Sequence, residues 1–257
     1  MTNKKIGLVL SGGGYRGAAH VGVFKALEEL EIKVDVIAGT SAGAIMGAFY
    51  AAGYNWQTML DFLVKTEAVS LSKYAFQKAG FLDSAKYKSL FEQYFPDDRF
   101  AALKIPLFIT TTDLIEGKVK FFYEGELIKP LIASCAVPGV FSPVPMDDLL
   151  LCDGGVTNNF PVEPLMTISD VIIGVYVNQL NKVNSTELKS TFNVLQRAFL
   201  IIRKNQFEQK FSHCDVIISP PNLIEHNILS KNNLQEIFEI GYEEAMLKLS
   251  TWKESKP

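Results

Sequence analysis

Cysteine is scarce in this sequence. Three occur, Cys135, Cys152 and Cys214, odd in number, far apart and in no C-x-x-C pair. That excludes a disulfide framework and a zinc knuckle and points to a reduced, cytoplasmic setting, peripheral to membranes at most. Histidine is as rare, with three residues, and charge of either sign is never concentrated: 25 Lys and Arg stand against 28 Asp and Glu, a net charge of −3. Without a basic face, nucleic acid is not an expected partner. Long apolar runs are missing too. The stretch from Ile6 to Leu10 is too short for the roughly 7–15 apolar residues of a secretory signal, and Thr2 stands where N-myristoylation needs glycine. Val36 to Leu60 carries no charge, but Gly39, Thr40, Ser41, Gly43, Gly47, Gly53, Asn55 and Gln57 make it unfit to face lipid. No transmembrane segment is expected, although about 20 apolar residues suffice for one.

What is present is a 257-residue chain, 48% hydrophobic and 21% charged, the profile of a compact globular protein. Short apolar runs alternate with helical periodicity. KIGLVLS, VDVIAGT, IPLFITTTDL, VKFFY, LLLCDGG, DVIIGVYV and DVIISP read as strands. IPLFITTTDL and VKFFY form a pair turning at Gly117. Helices are expected from about Tyr15 to Leu30, Ala42 to Ala52, Leu127 to Ala136, Ser190 to Phe211 and Asn233 to Leu249. Strands alternating with helices predict an α/β fold, a mostly parallel central sheet with helices on both faces. Residues 1–257 read as one domain. An aromatic-rich insertion, 54–100, is a possible cap, with Tyr74, Phe76, Phe81, Tyr87, Phe91, Tyr94 and Phe95. Within it, Asp83 or Ser84 caps a helix that Pro96 closes. That insertion and the helix containing Phe199, Leu200, Ile201 and Ile202 are candidates for an apolar cleft or a membrane-facing cap.

Two glycine-rich turns carry chemistry. Gly12-Gly13-Gly14-Tyr15-Arg16-Gly17 follows a strand and opens a helix, matching G-x-G-x-x-G. A dinucleotide site would need an acidic residue ending the second strand; Asp35 begins VDVIAGT instead, which weakens the alternative of a nucleotide-binding oxidoreductase. Either way, successive amides at a helix start suit a phosphate or a developing oxyanion. Gly39-Thr40-Ser41-Ala42-Gly43 matches G-x-S-x-G between strand and helix, the context of a nucleophile elbow. A plain strand–helix turn is the alternative. Ser41 would need a base. His20 precedes the serine, and His213 and His226 have no recognisable context. Asp153 ends the run LLLCDGG, where a parallel sheet presents reactive groups, although D-G is also a common turn. Asp113 reads as a turn or cap residue.

SGGGYRGAAHVG, GTSAG, ASCAVPGVFSPV and DGGVTNNFP, in this order, resemble the patatin-like phospholipases. The resemblance covers most of the chain, weakly in the insertion and after Ser185. It implies a patatin-like α/β fold and hydrolysis of lipid acyl esters, of phospholipase A or lysophospholipase type, through a Ser-Asp dyad. Ser41 is then the nucleophile and Asp153 the base. Gly12, Gly13 and Gly14 line the oxyanion hole, and Arg16 meets substrate phosphate or pairs with a carboxylate. No histidine, cofactor or metal is implied. The expected partner is a lipid or acyl-ester substrate, with transient contact at a membrane surface. A carboxylesterase, a thioesterase and a non-catalytic lipid-binding protein remain alternatives on the same site. In this reading Pro138, Phe141, Pro143 and Pro145 stiffen a loop, and Asn158, Asn159 and Pro161 order the chain after Asp153.

Overall fold

A computed structural model describes residues 4–66, 84–180, 182–226 and 232–255. In chain order the elements are β1 (Ile6–Leu10), α1 (Ala18–Glu29), β2 (Val36–Thr40), α2 (Ala42–Ala52), α3 (Trp56–Lys65), α4 (Ser84–Tyr94), β3 (Leu107–Asp113), β4 (Lys118–Phe122), α5 (Ile128–Ser134), β5 (Val144–Met146), β6 (Leu149–Asp153), β7 (Val171–Val175), α6 (Thr191–Phe207), β8 (Val216–Ile218) and α7 (Leu234–Glu254). The fold is the expected mixed α/β domain around one sheet.

Period-two alternation sends each central strand into two cores. Leu8 and Leu10 of β1 join Phe24 and Leu27 of α1, Met46 and Phe49 of α2, and Ile237 and Phe238 of α7. Val9 points the other way, with Val36, Ala38, Phe160, Leu165, Tyr176 and, from the end of α6, Phe207. Both faces of β1 and β2 are therefore buried, as parallel strands require. Five strands run parallel in the order β3-β2-β1-β7-β8, while β4, β5 and β6 add antiparallel pairings.

The way β3 is shared decides where the site forms. β4 pairs along Ile109–Asp113, β2 along Leu107–Thr110 and β6 along Thr111–Asp113. A strand has two edges. Since β4 overlaps both others, it takes one edge, and β2 and β6 share the second. They run toward each other and end head to head, Thr40 opposite Thr110 and Asp153 opposite Thr111.

Three local features differ from expectation. The first helix begins with a 3-10 turn, Gly14–Gly17, before α1. Val144 and Pro145, expected as the end of a loop, form with Met146 the edge strand β5, where the proline lacks no needed donor. The helix α3 was not foreseen; it opens on Asn55, whose Oδ1 accepts the Thr58 amide at 2.9 Å. Tyr74, Phe76 and Phe81 lie outside the described residues. The insertion's other aromatics pack inward: Tyr54, Phe62, Tyr94 and Phe95 surround Phe49 at ring distances of 4.6–5.3 Å. They buttress the helix behind Ser41.

Candidate active site

Ser41 lies between β2 and α2 with φ 52° and ψ −122°. This is a region where a side chain costs about 1–3 kcal/mol, so neighbours must hold it. One of them is Ser134, the last residue of α5 and fully buried. Its hydroxyl accepts the Ser41 amide at 2.8 Å and donates to the Thr110 carbonyl at 2.7 Å. The elbow is thus tied to β3. Thr40 Oγ1, one residue earlier, donates to the Asn158 carbonyl at 2.9 Å.

Asp153 reaches the same place from the opposite direction. Its amide donates to the Ala136 carbonyl at 3.0 Å, and its own carbonyl accepts from Thr112 Oγ1 at 3.0 Å. Its Oδ1 accepts the Gly155 amide at 2.6 Å. The backbone is ordinary, φ −49° and ψ 126°. Gly154 permits the close turn: a Cβ there would sit 2.3 Å from the Thr110 carbonyl oxygen. Ser41 and Asp153 are both nearly buried, at 9% and 5% exposed.

Between the residues that grip these two lies Cys135, which the sequence reading gave no role at the site. Its thiol hydrogen-bonds with Ser41 and feels the Asp153 charge. Burial first, then that charge, push the thiol well above its ordinary range, against the Ser41 contact, which pulls it down. Cys152, beside Asp153 in sequence, is pushed up to about 12 by burial and then by the same charge. Neither is a thiolate at neutral pH.

The glycine loop runs alongside. A Cβ on Gly12 would come within 3.1 Å of Ser41 Cβ. Of the three amides expected to face an oxyanion, that of Gly12 donates to the Asn159 carbonyl at 3.3 Å, whereas those of Gly13 and Gly14 meet no acceptor among the described residues. Asn158 and Asn159 do order the segment after Asp153. The Asn158 amide donates to the Gly154 carbonyl at 2.7 Å, and Asn178 and Asn159 both donate to the Gly12 carbonyl.

Arg16 is placed differently from what its expected role suggests. Its Nε donates to the His226 carbonyl at 2.8 Å, Nη1 to those of Val177 and Gln179 at 3.3 Å, and Nη2 to that of Ile224 at 3.4 Å. Burial lowers its pKa to about 10, so it stays cationic at neutral pH. The guanidinium clamps the segments after β7 and β8 to the glycine loop. The histidines stand apart from Ser41's described partners. His20 is fully buried with Nε2 on the Ser11 carbonyl at 2.8 Å, and His226 Nε2 lies 3.9 Å from Glu236. Asp113 caps its turn, Oδ1 accepting the Ile115 amide at 3.0 Å. Phe141 of the proline-rich loop meets Tyr87 edge-on at 5.9 Å. Among the described residues no group of three His, Cys, Asp or Glu side chains is placed to hold a metal ion, and no helix is long and apolar enough to cross a membrane.

Comparison with known proteins follows the same lines. A family described as patatin-like phospholipase matches residues 8–166. An uncharacterized NTE family protein of Mycobacterium tuberculosis is 33% identical over 180 residues, 69% of this chain and 50% of that protein. The rat patatin-like phospholipase domain-containing protein 7 is 26% identical over 293 residues, 99% of this chain but 21% of that one. The chain thus spans half the length of one relative and about a fifth of the other. Among solved structures, VipD of Legionella pneumophila superposes with TM-score 0.56 at 12% identity, covering 96% of this chain and 67% of VipD. That likeness is one of fold.

Proposed function

Because the chain belongs to the patatin-like phospholipase family, we propose that it hydrolyses acyl esters of phospholipids or lysophospholipids, with Ser41 as nucleophile and Asp153 as base. The observation that carries this reading is the head-to-head ending of β2 and β6 on one edge of β3, which brings a strained serine and a carboxylate to one point. Asp153 takes the Ser41 proton as Oγ attacks the ester carbonyl carbon. The Gly13 and Gly14 amides, reinforced by the N-terminus of α2, hold the oxyanion. Collapse breaks the ester bond, and the proton passes from Asp153 to the departing alcohol, leaving an acyl-serine. Asp153 then takes a proton from water as that water attacks the acyl carbon, and the fatty acid leaves as Ser41 recovers its proton.

A carboxylate is a weak base for an alcohol, so most of the barrier must fall through stabilised charge. One lost oxyanion donor costs about 100–1000-fold in other hydrolases. In this mechanism Gly12 shapes the loop through its bond to Asn159. Arg16 fixes the loop's position, a role its four carbonyl partners favour over contact with a head group. The reading fits a cytoplasmic protein that meets its substrate at a membrane surface. Simple carboxylic esters and thioesters would enter the same chemistry, and substrate profiling separates them.

Intact mass after fluorophosphonate treatment tests the dyad. The expected result is one adduct on the wild type, none on Ser41→Ala, and labelling slowed by about 1000-fold or more in Asp153→Asn. A folded wild type that stays unlabelled, or a Ser41→Ala protein that labels equally, overturns it; lipid binding without turnover would then be the function to pursue.

A further inference from the structure

The helix α6 combines two properties found together nowhere else among the described helices. From Thr191 to Phe207 it carries three basic residues, Arg197, Arg203 and Lys204, and no acidic one, in a chain of net charge −3. At 100° per residue, Val194, Leu195, Ala198, Ile201 and Ile202 fall within one arc of about 120°. All five are exposed, Leu195 at 64% and Ile202 at 55%. The sequence reading left the stretch around Ile201 open between an apolar cleft and a membrane surface; an outward arc favours the surface. The side chain of Phe199 is not among those described.

This face hangs directly on the site. Phe207 at the helix end is buried against the sheet with Phe160 and Tyr176. In the following turn, Lys210 Nζ donates to Asn158 Oδ1 at 2.7 Å and pairs with Glu163 at 2.5 Å. Asn158 is the residue whose backbone holds both Thr40 and Gly154, the last positions before Ser41 and after Asp153.

We propose that α6 docks on an anionic phospholipid surface, its apolar arc entering the interface and the helix's net positive charge matching the anionic head groups. The inference rests on the lipid-hydrolase reading for its purpose, but docking is measured apart from turnover. Apolar arc and one-sided charge together favour this occupant over a second copy of the chain, whose net negative charge complements a basic helix far less densely than an anionic bilayer does.

The test is co-sedimentation of the whole chain with phosphatidylcholine vesicles, with and without phosphatidylserine as about a third of the lipid. Binding should be stronger on the anionic vesicles, by about fivefold for each basic residue that reaches the surface, and should fall with salt. Leu195→Ser/Ile202→Ser should bind at least about tenfold more weakly, while melting like the wild type and cleaving a water-soluble p-nitrophenyl butyrate at the same rate. A wild type that stays in the supernatant, or a double variant that sediments equally, overturns the proposal. So does a wild-type dimer in sedimentation velocity that the double variant dissolves, since another copy would then cover the face. Binding without hydrolysis of any ester would leave the docking surface standing and remove the lipid-hydrolase reading.

Discussion

The two halves of the proposed site are built on opposite principles. At Ser41, the proposed nucleophile, the backbone is strained, with φ 52°, and no side chain caps α2. At Asp153, the proposed base, the backbone is relaxed, and the side chain caps its own turn through Gly155. The first half must be held from outside, by the Ser134 hydroxyl bridging the Ser41 amide to β3. The second half largely holds itself. Precision of placement can thus come from a clamped strain or from a self-capping turn, and here both stand side by side on the edge of β3.

The sharpest way to break this contrast is to remove one support from each end. Ser134→Ala deletes the hydroxyl that holds the elbow. Misplacing a nucleophile by about 1 Å costs on the order of 100-fold, so kcat on a soluble ester should drop by about that factor with KM little changed. Ser134→Thr, which keeps the hydroxyl, should recover much of it. Thr112→Val removes the matching support under the Asp153 carbonyl together with the bond to Thr157 Oγ1 at 2.8 Å, and should cost only about threefold in kcat, since the carboxylate keeps its cap and ordinary hydrogen bonds contribute little net. Equal losses at the two ends, read in steady-state kinetics, would erase the asymmetry.

Acid should strain the Ser41 half selectively. His20 braces the glycine loop through the Ser11 carbonyl and is fully buried, its Nδ1 without a partner among the described residues. Burial lowers its pKa from 6.5 to about 4, against the Ser11 bond, which raises it. The unfolded chain therefore binds the proton more readily. The stability that a neutral His20 contributes is complete above pH 6.5 and is lost as the pH falls toward 4, about 2 kcal/mol of it by pH 5. Urea unfolding at pH 7 and pH 5 should show that loss in the wild type and a smaller one in His20→Gln. Equal losses would remove His20 as the cause.

Much of this was legible in the chain, and the remainder has a common physical reason. The short apolar runs IGLVL and VIAGT give buried parallel strands, and glycines around Ser41 and after Asp153 give turns at their ends. The meeting of β2 and β6 depends on non-local register along β3, which no local pattern encodes. Ser134 lay within the quoted ASCAVPG segment, but a hydroxyl at the end of a short helix says nothing of its partner. The nearest signal was a polar residue among Ala133, Cys135 and Ala136. Arg16 looked like a ligand because its acceptors are carbonyls from Val177 to His226, 161–210 residues away. For α6 the sequence singled out Phe199 to Ile202, whereas the exposed arc from Val194 to Ile202, with nothing described lying against it, is visible only in the structure.

The smallest effect is the most diagnostic of the strain itself. Replacing alanine by glycine ordinarily lowers stability, because the unfolded chain gains freedom, by about 0.4–1 kcal/mol. At Asp153, with φ −49°, that rule should hold, and Asp153→Gly should unfold more easily than Asp153→Ala. At Ser41 the sign should reverse. A Cβ at φ 52° and ψ −122° costs more than glycine's entropy does, so Ser41→Gly should exceed Ser41→Ala by about 1 kcal/mol in chemical denaturation. Neither comparison involves catalysis, since all four variants lack a member of the proposed dyad. If glycine is the less stable choice at both positions, the elbow is not strained in solution, and the Ser134 hydroxyl has nothing to restrain.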